Sequence, residues 1–419
     1  MKKIDLLNPL LFFILFQLVA FLIIPSFALE TSDWDNVKKD VYISLAISFS
    51  GYIVGYFFQK KNLRLKKIKI KPIFSVSRIS DQSFLKYAFL FTLFFITLQI
   101  IFRVSTNTLI LGSSESVKGN LLTSFLGYIL MFFGMSHTGT LFFSFLSVIS
   151  ILLLKQTGQY RWLVTNILIY FSLSVITTQK ALLILPVLVC IVAYHYLIER
   201  IGGRRIFKFS LFIPFFLLWA VTSNYLRWAN MNDVSTSIIG ALNTIEFNDA
   251  LDYFVARFDF YLSASYALNQ PELYPGSLVD MVKSFLFIVP YNTLYGDGIF
   301  PVKFALAYRV PGHESGVGVT VPLVVDLSIT YGYLLTFPVS IIVGYIFSKL
   351  HSSISKVRNV KSSTIYSLVL IPVFYISAAT VPLFELNYNI LRSLFFTANY
   401  LFTLRISYFL FFESLSRNR

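Results

Sequence analysis

The polar residues best suited to chemistry are concentrated in residues 225–320, the only long polar interval in a chain of mostly apolar runs. Arginine and lysine there can hold phosphate or pyrophosphate, and guanidinium groups do so with paired hydrogen bonds. Acids and a histidine can take a proton from a hydroxyl group. The candidates are Arg227, Arg257, Asp259, Tyr291, Lys303, Arg309, His313 and Glu314. For each arginine the alternative is a salt bridge to a nearby acid, and for His313 it is a solvated loop position.

A further candidate is Asp326, about seven residues inside an apolar run that predicts a helix over residues 319–347. An acid at that depth in a membrane is costly unless it faces a wet cavity or a cation. Pro322, one turn earlier, predicts a kink. Asp326 is therefore either a base or acceptor-positioning group, or the partner of a buried lysine or arginine.

Several common catalytic patterns are missing from the sequence. It has no glycine-rich phosphate loop, no His-Glu-x-x-His, no Cys-x-x-Cys and no Gly-x-Ser-x-Gly. The four histidines are scattered, so we expect no histidine and cysteine metal centre and no bound cofactor. Asp33-Trp34-Asp35 formally matches a carboxylate metal motif, and a solvated acidic loop is its alternative interpretation.

The composition indicates what positions these residues. Hydrophobic residues make up 56% of the chain and charged residues only 13%, which suits a bilayer rather than a soluble core. We predict one all-α membrane domain over residues 1–419, with a possible interfacial helix at 121–134. The first apolar run also resembles a cleavable signal peptide ending near residue 28. The ten predicted spans are about 9–28, 41–59, 87–102, 138–154, 162–178, 181–197, 209–226, 319–347, 364–382 and 391–412.

The charge pattern predicts how these spans are oriented. The formal net charge is +15, and most lysines and arginines lie in short segments such as residues 60–71. Short basic loops stay in the cytoplasm, so we predict that both termini are cytoplasmic and that 225–320 is a large periplasmic or extracellular loop. The basic excess therefore reflects topology, and nucleic acid is not an expected partner.

A family resemblance rests on motifs in residues 250–350. They are Arg257-Phe258-Asp259-Phe260, Pro275-Gly276-Ser277, Ile288-Val289-Pro290-Tyr291, Phe300-Pro301-Val302-Lys303, Gly316-Val317-Gly318-Val319-Thr320, Asp326 and Tyr331-Gly332-Tyr333. In this order, on the predicted outer side, they resemble the bacterial oligosaccharide repeat-unit polymerases that build O-antigen and capsule. The rest of the chain resembles that family by hydropathy alone.

The resemblance implies a metal-independent glycosyltransferase with a GT-C-like fold in the bacterial inner membrane. Its substrates would be undecaprenyl-pyrophosphate-linked glycans, and its partners membrane lipid, a chain-length regulator and a flippase. Arg257, Arg227, Arg309 and Lys180 would hold pyrophosphate groups. Asp326, Glu314 or His313 would activate the acceptor hydroxyl.

Two other functions compete with this one. An O-antigen ligase would use the same donor with a lipid A-core acceptor, and it would also suit a large outer loop with histidine and arginine. A polysaccharide flippase or transporter would favour short loops on both sides and internal repeat symmetry. The long polar interval of 225–320 favours an enzyme.

Overall fold

The computed structural model describes residues 7–23, 35–62, 82–105, 140–177, 181–203, 211–231, 237–245, 323–355 and 383–413, and also positions 125, 129, 205, 208, 365 and 368–371. Every regular element in these residues is a helix, so the all-α prediction is confirmed for them. The helices are α1 (Pro9–Leu18, continued by a π-turn over Val19–Ile23), α2 (Asp35–Asn62), α3 (Gln82–Ser105), α4 (Thr140–Thr157), α5 (Arg161–Thr177), α6 (Ala181–Leu197), α7 (Ile213–Met231), α8 (Ile238–Thr244), α9 (Leu323–Ser355) and α10 (Leu383–Tyr408, continued by a π-turn over Phe409–Glu413).

Four stretches of these helices are long and apolar enough to cross a membrane: Lys39–Gln59, Gln82–Phe102, Gly332–Ile354 and Leu394–Phe411. Shorter apolar helices cover Leu10–Ile23, Ser144–Thr157, Arg161–Thr177, Leu183–Leu197 and Pro214–Ser223. Large apolar side chains point outward from them, as bilayer-facing residues do; Leu334, for example, is 86% exposed. The chain is thus a helical membrane protein. The predicted span 364–382 and the predicted interfacial helix 121–134 fall almost entirely outside the described residues.

Helices α2 and α9 form the most extensive helix pair in the described part of the chain, and they run parallel. Near the start of both, Tyr333 Oη donates a hydrogen bond to Asp40 Oδ1 at 3.1 Å. Near the end of both, Tyr56 Oη lies 2.7 Å from His351 Nδ1. The alternating topology predicted from the sequence requires this shared direction for spans 41–59 and 319–347.

Helices α3 and α10 run antiparallel. The Thr92 and Tyr400 hydroxyls hydrogen bond at 2.7 Å near the middle of both helices. The ring of Phe84, at the start of α3, contacts the ring of Tyr408, at the end of α10, with centroids 5.1 Å apart. Opposite directions are also what the alternating topology requires for spans 87–102 and 391–412.

Small residues allow the α2 and α9 backbones to touch. A Cβ atom on Gly51 would lie 2.5 Å from the Cβ of Ser340, and one on Gly55 would overlap the backbone carbonyl of Ile341. A Cβ on Gly344 would in turn meet the backbone of α2. Two glycines four residues apart, facing Ser340 and Gly344 at the same spacing, form the small-residue interface that lets membrane helices pack closely.

Helix α9 is broken at Gly332, whose φ of 70° and ψ of 168° lie outside the helical region. Glycine alone adopts this conformation readily, because it has no Cβ. The break divides α9 into a short arm, residues 323–331, and a long arm, residues 333–355. The membrane-length stretch therefore runs from Gly332 to Ile354, whereas the span predicted from the sequence runs from about 319 to 347. The kink that we predicted at Pro322 lies outside the described residues.

Candidate functional site

Most of the site residues predicted from the sequence lie outside the described part of the chain, and their roles stay predictions. These are Lys180, Arg257, Asp259, Tyr291, Lys303, Arg309, His313 and Glu314. Arg227 lies near the end of α7, but its side chain is not among those described. Asp326 is the one candidate whose side chain the structure places. In the described residues, no three histidine, cysteine or acidic side chains come together.

Asp326 lies in the short arm of α9 and is only 4% exposed. Its neighbours Leu323, Val324, Val325 and Leu327 are all fully buried in the main apolar core. The sequence thus sets a carboxyl group in an apolar helix turn that packs inside the bundle. Because burying a charge without compensation is expensive, an acid in this place indicates a functional or a pairing role.

The break at Gly332 brings Asp326 back towards the middle of α2. Asp326 lies within electrostatic range of the Tyr52 hydroxyl, which itself lies beside the Ser340 side chain. In an unbroken α9, Asp326 and Ser340 would be about 21 Å apart along the axis, at 1.5 Å per residue. The non-helical Gly332 thus places the acid beside the α2–α9 pair instead of beyond its end.

A line of buried hydroxyl groups runs along this helix pair. Ser44, Ser48 and Tyr52 succeed one another every fourth residue on one face of α2, and Ser340 faces them from α9; all four are fully buried. None of their oxygen atoms makes a hydrogen bond of good geometry to a described residue. We call these four residues the hydroxyl track. Ser50, on the exposed face of α2, instead bonds to the backbone of its own helix at 2.7 Å.

The hydroxyl track was not predicted from the sequence, although one sign of it is visible there. Ser44, Ser48 and Tyr52 repeat at the spacing that places side chains on one helix face. A polar stripe on an apolar helix usually serves to bond a neighbouring helix. Here the neighbour offers Ser340, whose hydroxyl lies close to that of Tyr52 but outside hydrogen-bond geometry.

The hydroxyl track reaches the surface at the end where α2 and the long arm of α9 begin. Asp40 lies one turn before Ser44 on α2, and the Ser44 hydroxyl lies beside that of Tyr333. Asp40 is half-buried and Tyr333 is 39% exposed, so their hydrogen bond is open to solvent or lipid headgroups. The charge pattern of the sequence predicts this to be the outer end of the bundle, and we call it the outer end.

At its other end the hydroxyl track is closed by aromatic side chains. The ring of Phe13 from α1 meets the ring of Tyr52 edge-on, with centroids 4.8 Å apart. Phe13 also contacts Phe347 of α9 at 5.5 Å. All three rings are fully buried, and the rings of Phe13 and Phe347 form an apolar plug next to Tyr52.

Beyond this plug lies a separate polar cluster, at the end where α2 and α9 finish and α1 begins. Asn8 Nδ2 donates to Tyr56 Oη at 2.8 Å, and Tyr56 Oη lies 2.7 Å from His351 Nδ1. Because the Tyr56 oxygen accepts from Asn8, its proton can go to His351 Nδ1, which places the imidazole proton on Nε2. Nearby, Ser348 Oγ donates to Gln59 Oε1 at 2.8 Å. This cluster is hydrogen-bonded where the hydroxyl track is not.

Tyr56→Phe will test whether this cluster stabilises the bundle. The variant loses the hydrogen bonds to Asn8 and His351 but keeps the ring, so we expect it to lose about 1–3 kcal/mol of stability. Thermal unfolding of the purified protein in detergent will measure the loss. Tyr345→Phe removes a hydroxyl from a side chain that is 37% exposed and should leave the unfolding temperature unchanged. Equal stability of Tyr56→Phe and wild type would contradict a structural role for the cluster.

No protein-family model matches the chain, and no curated protein or solved structure shows significant similarity to it. A function for this chain therefore has to be inferred from its own residues. The described geometry contributes one buried acid, Asp326, and a line of unpartnered hydroxyl groups that leads from its vicinity to one end of a helix pair.

Proposed function

We propose that this chain is a membrane glycosyltransferase that joins undecaprenyl-pyrophosphate-linked repeat units into O-antigen or capsular polysaccharide. The observation that carries the proposal is Asp326: it is a buried acid on a helix arm that directly follows the long polar interval. The order of motifs from Arg257 to Asp326 supports it. A ten-span GT-C-like architecture in the inner membrane, with both termini in the cytoplasm, is part of the same proposal.

In the proposed reaction, an acceptor hydroxyl loses its proton to Asp326 while its oxygen bonds to the anomeric carbon of the donor glycan. The bond from that carbon to the pyrophosphate oxygen breaks, and undecaprenyl pyrophosphate leaves with the electron pair. Arg257, Arg309 and Lys180 would stabilise the negative charge of the leaving group. No metal is needed where fixed cations perform this task.

The packing of both arms of α9 supports a role for Asp326 in positioning and proton transfer. The short arm is packed into the core, and the long arm is held against α2 by backbone contact at Gly55 and Gly344. A general base works best when its position is fixed by packed elements and not by a loop. This chain places its acid on such an element, next to the interval that carries the candidate arginines.

A flippase is the second candidate, because a polar track within a helix pair would also suit a transport path. The plug of Phe13 and Phe347, which contacts Tyr52 at the end of the track, argues against a flippase. Those rings are fully buried and in contact, so the described track opens at one end only. A transport path must connect both sides of the membrane in turn.

Deletion of the gene in its own host will test the proposed function. We expect surface glycans to lose their ladder and to carry a single repeat unit on the acceptor core. Loss of all attached glycan, with long polymer accumulating on the lipid carrier, would indicate a ligase instead. Single repeat units trapped on the cytoplasmic leaflet would indicate a flippase. Either of these two results would overturn the proposal.

Complementation of that deletion with Arg257→Ala will test the outer arginines. We expect the ladder to stay absent, because a departing pyrophosphate would lose a charged hydrogen-bond donor. Arg205→Ala is the control. Arg205 is an exposed arginine paired with Glu199 at 2.6 Å, and surface pairs of this kind contribute little. Full laddering with Arg257→Ala would remove Arg257 from the site.

A further inference from the structure

The start of α5 carries an exposed arginine whose charged group is held in place. The guanidinium carbon of Arg161 lies 5.0 Å from the centre of the Trp162 ring, within the usual range for a cation over an indole. The Trp162 ring in turn meets the ring of Phe89 from α3 edge-on, with centroids 5.1 Å apart. Arg161 is thus exposed, but the packing of α5 against α3 sets the position of its guanidinium group.

Stacking on Trp162 leaves the hydrogen-bonding groups of Arg161 available. A guanidinium group carries its five N–H donors in its own plane, so stacking uses the flat face and leaves the edge free. No ion pair to Arg161 occurs among the described residues. Glu199, the acid that follows α6, is already paired with Arg205 at 2.6 Å. The edge of the Arg161 guanidinium can therefore bind an anion from outside the chain.

Other basic residues lie at the same end of the bundle. Only a short turn through Gly158, with a φ of 68°, separates α4 from α5, and Lys155 is exposed just before it. Helix α6 packs against both α4 and α5 and runs back from the far end of α5, so the exposed Arg200 beyond α6 lies at this end too. With Glu199 paired to Arg205, the surroundings are positively charged, which favours a ligand of net negative charge.

An exposed apolar stripe runs along α5 from Arg161. Val164, Leu168 and Phe171 follow it at intervals of three, four and three residues, which places all four side chains on one helix face. Each of the three apolar side chains is more than half exposed, and the buried residues of α5 lie on its opposite face. From residue 161 to residue 171 the helix rises about 15 Å, half of the roughly 30 Å hydrocarbon core of a bilayer. The stripe is thus about as long as one leaflet is thick.

We propose that Arg161 and this stripe bind one anionic phospholipid. The headgroup phosphate accepts paired hydrogen bonds from the Arg161 guanidinium. An acyl chain lies along Val164, Leu168 and Phe171. A soluble anion would use the guanidinium alone, whereas a phospholipid uses both the cation and the apolar stripe that starts beside it. This lipid site contains none of the candidate catalytic residues and does not depend on the proposed function.

Trp162 serves this lipid site as a platform and not as a headgroup ligand. A tryptophan that anchors a protein at the membrane surface directs its N–H towards water or headgroups. The Trp162 Nε1 atom is instead buried and makes no hydrogen bond to a described residue. What Trp162 contributes is its ring face, on which Arg161 lies. The lipid site therefore needs the planar guanidinium, and a positive charge alone does not replace it.

Titration of the purified full chain with phosphatidylglycerol, followed by native mass spectrometry in mild detergent, will test the lipid site. The measured quantity is the dissociation constant of the first bound lipid. We expect Arg161→Ala to weaken binding roughly tenfold, because a charged pair of hydrogen bonds is lost. Arg161→Lys keeps the charge but not the plane, and we expect a loss of about threefold or more. Arg200→Ala, the matched control, removes the same charge from the same end of the bundle and should bind within about twofold of wild type.

A second pair of variants tests the apolar stripe. Leu168→Ala should weaken phosphatidylglycerol binding roughly threefold, because part of the acyl-chain contact is lost. Leu334→Ala, at an exposed leucine of α9, should have no effect. Because Arg161 and Leu168 are exposed, we expect all these variants to unfold at the wild-type temperature when no lipid is added.

Four results would overturn the lipid site. Equal weakening in Arg161→Ala and Arg200→Ala would mean that surface charge alone attracts the lipid. Wild-type affinity in Arg161→Lys would mean that the stacked plane has no role. Phosphatidylcholine binding as tight as that of phosphatidylglycerol would exclude a preference for anionic lipid. Displacement of phosphatidylglycerol by an equal concentration of inorganic phosphate would indicate a site for free anions instead.

Discussion

Asp326→Asn will slow polymer formation by about 10²- to 10⁴-fold while the helix pair stays assembled. Asparagine has nearly the same shape as aspartate, so the short arm can keep its packing among Leu323, Val325 and Leu327. It cannot accept a proton from a hydroxyl group, however. General-base catalysis contributes about 10²- to 10⁴-fold to a rate, and we expect a loss within that range. The measurement is polymer length from lipid-linked repeat units with the purified variant, and the glycan ladder in the deletion host.

Ser328→Ala is the matched control for this prediction. Ser328 lies two residues further along the same arm, is nearly as buried as Asp326, and bonds only weakly, at 3.4 Å, to the backbone of its own helix. It should give a full ladder, which would show that a small change in the arm is tolerated. A full ladder with Asp326→Asn would remove Asp326 as the base and leave Glu314 or His313 for that role.

The burial of Asp326 could be predicted from the sequence, because its neighbours on both sides are large apolar residues. The start of α1 could also be predicted from local rules. Asn8 caps the helix by accepting a hydrogen bond from the Leu10 backbone at 3.0 Å, and Pro9 takes the first helical position. Both features depend on residues that are adjacent in the chain, and periodicity and capping rules describe such residues well.

The broken helix at Gly332 could not be predicted in this way. A glycine within an apolar run is compatible with a packed helix, as Gly344 shows, and with a backbone break, as Gly332 shows. Which of these occurs depends on the tertiary contacts of the arms. The hydroxyl track was hidden for a similar reason. Its α2 members are visible as a stripe, but Ser340 and Asp326 come from a distant part of the chain.

Gly55→Leu will prevent α2 and α9 from packing together. Even a Cβ at position 55 would overlap the backbone carbonyl of Ile341, and a backbone atom cannot rotate away as a side chain can. Gly55→Ala should therefore lower stability by about 1–3 kcal/mol through overpacking, despite the better helix propensity of alanine. With leucine the helices must separate, and we expect most of the protein to aggregate on extraction into mild detergent. Size-exclusion chromatography and thermal unfolding will measure both effects.

Gly202→Leu provides the control, because a Cβ at Gly202 would meet no atom within 4 Å. This variant should stay monodisperse, with stability within about 0.5 kcal/mol of wild type. If Gly55→Leu were as stable as Gly202→Leu, the two helix backbones could not be in contact at Ile341. The position of Tyr52 beside Ser340 would then lose its support, since it depends on the same contact. The graded series from glycine to alanine to leucine thus tests the contact between α2 and α9 on which the placement of the hydroxyl track depends.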